Sequence, residues 1–420
     1  MIKQTVLDNG IRIITEQIPV AHSVSLGAWV ATGSRHEDAA LSGISHFAEH
    51  MFFKGTGHRT ARMIAREIDA VGGMLNAFTS HEFCCYYAKM LSHNLPLATD
   101  LISDILLDSV FDLEEIEKER RIILNEIAMV EDTPDDQIHE LFGRLFWKNN
   151  PLARPILGTA ETVAHFDRDT LLRFVADCYC GENLLITAAG KLEHDKVVDQ
   201  VASEFSSVPA AGHGSPIESP VCHGGIDVRE KSLEQIHICL GTKALPQNDP
   251  DRYALYFLNT ILGGSMSSRL FQSIREDRGL AYSIYSYLNC HSDTGAQIVY
   301  AATAPDQALY VIDLILAELK NLIREPVPAY EFNAAREQLR GNLLLSLENT
   351  ENRMTRLAKN ELYLGTQLSI EQAMTQLESV TADQVCRLAN ELFRDEYLTL
   401  QLLGDAGRID KTSIDLTVKN

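Results

Sequence analysis

His46, Glu49 and His50 stand within the run Gly43-Ile44-Ser45-His46-Phe47-Ala48-Glu49-His50-Met51-Phe52-Phe53-Lys54-Gly55. Two imidazoles four residues apart on a helix lie one turn above each other, so one nitrogen from each can reach a single ion. The carboxylate beside them is the group needed to take a proton from water that such an ion acidifies. A lone His pair at this spacing is more often packed or solvated. His-x-x-Glu-His is more specific, being the inverted form of the zinc-peptidase order His-Glu-x-x-His, and it points to hydrolysis. A hydrolytic zinc takes three protein ligands and keeps a fourth position for water, so a third donor must come from elsewhere in the chain.

The run itself reads as a short helix. Ile44, Phe47, Ala48 and Met51 form an apolar stripe at 3.6 spacing, Ser42 or Ser45 is expected to cap its start, and Gly55 is expected to take the left-handed residue past its end. A sheet precedes it: residues 5–16 alternate around Asn9-Gly10, a hairpin signal, and residues 23–30 read as a buried strand. After it come a helix over 59–71 stopped by Gly72-Gly73, two extended runs around a polar turn in 74–90, and a helix over 95–107. Asp112 then opens a long helix, with Glu115 completing a capping box. Along 114–131, Ile116, Ile123, Ile127 and Val130 make a core stripe, while Glu119 and Glu126 look the same way because seven residues is close to two turns. Either could be the third donor, and spacing does not choose between them. Without the His motif, a solvated acidic face would be the commoner fate of such a pair.

Further elements follow as a helix over 171–178, a strand over 183–190 and a helix over 196–205. Residues 208–220 are rich in Pro, Gly and small side chains, the composition of a linker. The expected organisation is therefore a metal-binding catalytic domain over 1–212, a linker over 213–225 and a second domain of similar fold over 226–420. In that second half a strand (235–241), an apolar helix (252–262) in the place of the His-bearing one, a helix (268–276) before Gly279, paired strands (280–288 and 296–302) and a helix (305–323) repeat the earlier order. No His-x-x-Glu-His occurs after residue 220, so the pattern is that of a duplication in which one copy carries the metal. The fold class expected is α+β: two homologous α/β halves, each a mostly antiparallel sheet flanked by helices.

At 420 residues, with 45% hydrophobic and 23% charged, the chain has the material for two or three globular cores. A formal net charge of −21 excludes a nucleic-acid partner, whose phosphates it would repel, and allows cationic peptides. The eight cysteines lack a Cys-x-x-Cys pair, which suits reduced thiols, and Cys178-Tyr179-Cys180 has no second pair to complete a metal site. The first residues show no apolar signal core and no run is long enough to span a membrane, so the expected setting is cytoplasmic, with no membrane partner.

Three separated motifs resemble the pitrilysin-type zinc peptidases, the family of insulysin and the mitochondrial processing peptidase. They are His46-Phe47-Ala48-Glu49-His50, the 76-residue step from His50 to Glu126 within Asn125-Glu126-Ile127, and Arg275-Glu276-Asp277-Arg278-Gly279-Leu280-Ala281-Tyr282. The resemblance spans essentially the whole chain. It implies Glu126 as third ligand of one Zn2+ per chain, Glu119 as the carboxylate that steadies the ligand set, and Glu49 as general base. It also implies that Tyr282 assists at the oxyanion and Arg275 binds substrate. Asn76, Ala77, Phe78 and Thr79 match the family's edge strand, to which an extended peptide adds. Two halves facing each other across a chamber are implied as well, as is a homodimer of the short bacterial and processing-peptidase type. The expected function is zinc endopeptidase action on short or unfolded peptides. The alternative is a non-catalytic scaffold or partner subunit, as some relatives have become by losing metal ligands; here all are present. A zinc hydrolase for non-peptide amides would leave the edge strand without a purpose.

Overall fold

A computed structural model describes residues 1–212, 218–407, 409 and 414–418. The chain forms two compact units, each built on its own sheet: a mixed α/β architecture of two sheets flanked by helices.

The first unit contains Met1–Met129, Arg154–Ile217 and Ser346–Gln367. Strands β1 (Ile2–Val6) and β2 (Arg12–Gln17) form the expected hairpin, with Gly10 at φ 88° in the turn, a conformation that favours glycine. Adding β3 (Ser23–Val30), β4 (Met74–Thr79), β5 (Cys84–Leu91) and β6 (Leu184–Gly190) gives a six-stranded sheet in the order β1-β2-β6-β3-β5-β4. Only β2 and β6 pair in parallel. Helices α1 (Ile44–Phe52), α2 (Ala61–Ala70), α3 (Leu95–Leu107) and α4 (Leu113–Asp132) follow in chain order, and α1 and α3 supply Phe47, Phe52, Leu101, Ile102 and Ile105 to a core shared with Leu26, Ala28, Tyr86 and Ala88 of the sheet. The opposite face is also covered. Trp29, Ile14, Cys85 and Leu185 pack there against Met354, Leu357 and Ala358 of the helix Thr350–Lys359. Burial on both faces is why β6 reads as a nearly continuous rather than an alternating apolar run. Strand β4 is one edge, paired on one side only, with Met74, Asn76 and Phe78 exposed and Leu75, Ala77 and Thr79 half-buried.

The second unit contains Val130–Ala153, Glu218–Leu345 and Leu368–Asn420. Strands β7 (Gly225–Glu230), β8 (Ile236–Ala244), β9 (Ala281–Cys290), β10 (Gly295–Thr303) and β11 (Thr399–Gly404) lie in the order β7-β11-β8-β10-β9. Helices Arg252–Leu262 and Ala308–Arg324 cover one face with Leu258, Ile261, Ile312 and Ile315. On the other face lies α5 (Pro134–Phe146), whose Ile138, Phe142 and Phe146 pack against Cys239, Ile298 and Leu403.

Two segments therefore cross the contiguous division drawn from the sequence at 212 and 226. Helix α5 belongs to the second unit, and Thr350–Lys359 to the first. The amphipathic pattern of each shows that it has a buried side, but nothing in periodicity says which of two equally apolar sheets receives it. Of the expected linker over 213–225, residues 213–217 lie outside the described residues, and Gly225 already opens β7.

Candidate metal centre

Helix α1 begins at a tight approach. Gly43 has φ 94°, and a Cβ there would meet the Leu157 carbonyl oxygen at 2.6 Å, so only glycine fits. The cap is neither Ser42 nor Ser45. The two carboxylate oxygens of Glu37 accept the backbone N–H of Gly43 and of Ser45, each at 2.8 Å. A buried carboxylate offers two acceptors and a charge to the positive end of the helix, which one hydroxyl cannot match. Burial pushes the Glu37 carboxyl up to about 7 against these hydrogen bonds. The helix closes at Phe53, and Gly55, with φ 121°, sits beyond it in a bridge to Thr60 rather than as its terminal glycine.

With Ile44, Phe47, Ala48 and Met51 buried, the remaining side of α1 presents His46, Glu49 and His50. Helix α4, capped by Asp112 Oδ1 through the N–H groups of Glu114 and Glu115, brings its carboxylates to that side. Glu126 Oε2 lies 3.9 Å from His46 Nε2 and 3.7 Å from His50 Nε2. The three residues offer donor atoms all within 4.8 Å of one another. Two nitrogens and a carboxylate oxygen are a zinc donor set, and in a tetrahedral zinc shell such atoms stand roughly 3.4 Å apart, so the residues present fit the ion. Burial, then the neighbouring His50, holds His46 down at about 3, so it stays neutral and its lone pair is free to bind.

Glu119 does something different from Glu126. Its Oε2 is 2.9 Å from His50 Nδ1, and its Oε1 is 2.7 Å from Lys54 Nζ. An Nδ1–H donated to a carboxylate fixes the tautomer that leaves Nε2 free toward Glu126. Lys54, one turn beyond His50 on the sequence, neutralises a carboxylate that is almost fully buried.

Glu49 is tied to the edge strand. The Thr79 hydroxyl donates to Glu49 Oε2. Burial raises the Glu49 carboxyl, opposed by that hydrogen bond and by His50. Thr79 ends β4, and the turn after it is clamped: Ser34 N–H donates to the Ser80 carbonyl at 3.1 Å, Arg35 N–H to the His81 carbonyl at 2.8 Å, and Arg35 Nη1 meets Glu82 Oε1 at 2.9 Å in a buried ion pair. On the same strand Asn76 Oδ1 accepts the N–H of Ala77 at 2.9 Å. Phe78 packs edge-on against Trp29 with ring centroids 5.8 Å apart.

Arg275 and Tyr282 belong to the second unit and are paired with each other. Arg275 Nη1 donates to the Tyr282 carbonyl at 2.7 Å, and its guanidinium carbon lies 4.6 Å from the Tyr282 ring centroid. The Tyr282 side chain is exposed. Among the described residues one other trio, His58, Asp104 and Asp108, has its donor atoms equally close. There Arg59 already meets Asp104 Oδ2 at 2.9 Å and supplies the positive charge.

Three contacts escape sequence reading. Lys54 lies past the end of α1, so helical spacing gives no signal of its contact with Glu119. Glu37 and the Thr79 to Glu49 bond have none, because both depend on how separate segments fold back onto α1.

Comparison with known proteins matches residues 12–160 to the insulinase family (peptidase family M16) and residues 165–339 to the peptidase M16 inactive domain. The uncharacterized zinc protease YmxG of Bacillus subtilis is 42% identical over 409 residues, covering 97% of this chain and 100% of that protein. This chain belongs to peptidase family M16. Another M16 relative by sequence, the uncharacterized zinc protease SCO5738 of Streptomyces coelicolor, is 40% identical and aligns with 93% of this chain and 87% of its own. The fold agrees with solved structures: a peptidase M16 inactive domain from Pseudomonas fluorescens has TM-score 0.90 at 19% identity, covering 96% of this chain and 98% of that one. A protease from Helicobacter pylori has TM-score 0.89 at 20% identity, covering 96% and 99%. The M16 match labelled inactive falls on the stretch where the His-x-x-Glu-His motif does not recur. Among the described residues no helix is long and apolar enough to cross a membrane.

Proposed function

We propose that this chain is a zinc endopeptidase that hydrolyses short or unfolded peptides, with one zinc ion held by His46, His50 and Glu126. The observation that carries this reading is the convergence of those three donor sets beside a half-buried carboxylate, Glu49, that is itself bonded to an edge strand. A bound zinc ion supplies Lewis acidity, which lowers the pKa of water and polarises a carbonyl.

Glu49 takes the proton from the attacking water and delivers it to the leaving nitrogen, a role suited to a carboxyl that burial has raised. Glu119, held by Lys54, keeps His50 in its binding tautomer. The peptide pairs along Asn76-Ala77-Phe78-Thr79 as an added strand, using backbone hydrogen bonds that demand little sequence and an extended substrate. Pairing at Ala77 exchanges the acceptor that Asn76 now gives its N–H. Tyr282 steadies the developing oxyanion and Arg275 binds substrate, a role their mutual packing supports by holding both side chains in one arrangement. The names of the relatives, zinc proteases, support the metal and the reaction class. The same reading takes the chain as a cytoplasmic homodimer of processing-peptidase type; sedimentation of a fully active monomer would remove the dimer.

The test is cleavage of an unstructured peptide by purified protein beside metal analysis. Wild type is expected to carry zinc and cleave, and a chelator to stop it. Glu49→Gln is expected to keep zinc and lose cleavage. Wild type without bound metal or cleavage would favour the scaffold subunit instead.

A further inference from the structure

The contact between Thr79 and Glu49 joins two parts of the proposed machinery that lie thirty residues apart in sequence. On β4 the side chains alternate, and the inward set is Leu75, Ala77 and Thr79. Leu75 and Ala77 pack against the first core, so the third member of that set points the same way, toward α1. Its hydroxyl meets the Glu49 carboxylate there, with Cys84 Sγ at 3.5 Å on its other side. Thr79 cannot drift, because its backbone pairs with Cys84 and the next residue, Ser80, is fixed by Ser34. A Cβ on Gly33 would stand 2.3 Å from the Ser80 carbonyl oxygen, which shows how closely that loop is laid against the turn.

We propose that Thr79 is a positioning residue for the proton-transferring carboxylate. Its hydroxyl occupies Oε2 of Glu49 and leaves Oε1 to take the proton, while its backbone ends the strand on which the peptide pairs. One residue thereby fixes the base relative to the docked chain, so the register of the peptide and the direction of proton transfer are set together. This rests on the peptidase reading above. A carboxylate with one oxygen held has fewer orientations to sample, and a hydrogen bond to a charged group is stronger than one between neutral groups.

Thr79→Val replaces the hydroxyl by a methyl of nearly the same size, and Thr79→Ser restores the hydroxyl without the methyl. With wild-type cleavage as the reference, the valine variant is expected to lose about ten- to a hundredfold in kcat, the range of one charged hydrogen bond, with KM within about twofold. Bound zinc and the melting temperature are expected to stay at wild-type values, and the serine variant to recover most of kcat. A valine variant with wild-type kcat, a change confined to KM, or a serine variant as slow as valine would each overturn the proposal. A wild-type protein that binds zinc but cleaves no peptide would instead remove the peptidase reading, and the positioning role with it.

Discussion

Helix α1 of the first unit and the helix Arg252–Leu262 of the second follow the same order of elements and each bury an apolar side, yet of the two only α1 carries, among the described residues, donor atoms gathered closely enough to hold a metal. In α1 the apolar stripe leaves a free side, and His46, Glu49 and His50 fill it. In the second helix Ala254, Leu255, Phe257, Leu258, Ile261 and Leu262 are all buried, so the stripe is wider and carries no imidazole or carboxylate. The edges differ as well. Strand β4 ends in a threonine bonded to the Glu49 carboxylate, whereas β9, an edge of the second sheet, begins with Ala281 and the exposed Tyr282. The fold supplies a sheet, a helix laid on it and an open edge in both units. Chemistry enters where three side chains on the uncommitted side of one helix meet a carboxylate from another.

The comparison breaks most completely at the ligand set. Glu126→Ala is expected to abolish both bound zinc and cleavage, read by metal analysis and a peptide assay, whereas Tyr256→Phe in the second helix is expected to leave both unchanged. Glu49→Gln separates holding the ion from using it: zinc content is retained while kcat falls about 10²- to 10⁴-fold, the range of a general base. Glu119→Gln should weaken zinc binding by about ten- to a hundredfold, measured by competition with a chelator, since it perturbs the group that orients His50.

The smallest effect concerns the cap. Glu37 has an ordinary value of 4.5 and is raised to about 7 in the folded chain. Between those values the folded state holds a proton that the unfolded state has released, so this group's contribution to stability falls as pH rises from about 4.5 through about 7. Glu37→Gln lacks that loss. The melting temperature of wild type relative to Glu37→Gln should therefore be lower at pH 8 than at pH 5, and an identical difference at both would dismiss the cap as a titrating group.

Much of the frame is legible in sequence because it follows local rules. The hairpin around Asn9-Gly10, the strand Ser23–Val30, the helices Leu95–Leu107 and Arg252–Leu262 and the Asp112 cap all arise from turn chemistry, periodicity or capping within a few residues. The histidines and the two glutamates of α4 are visible for the same reason. What separates Glu126 from Glu119 is not local: seven residues put both on one side, and only the docking of α4 beside α1 sends one toward two Nε2 atoms and the other to an Nδ1 atom and Lys54. Glu37 in place of Ser42 or Ser45, and the helices Pro134–Phe146 and Thr350–Lys359 on sheets from the other half of the sequence, fail to show in the sequence for the same reason. Each depends on a partner more than five residues away, where short-range preferences carry no information.

The central claim is a single ion on His46, His50 and Glu126. The direct measurement is anomalous diffraction at the zinc absorption edge from crystals of the protein grown with zinc. One peak per chain within bonding distance of the Nε2 atoms of His46 and His50 and of the Glu126 carboxylate is predicted. A map with no peak there, or with Glu126 turned away and no other acid in its stead, would contradict the account.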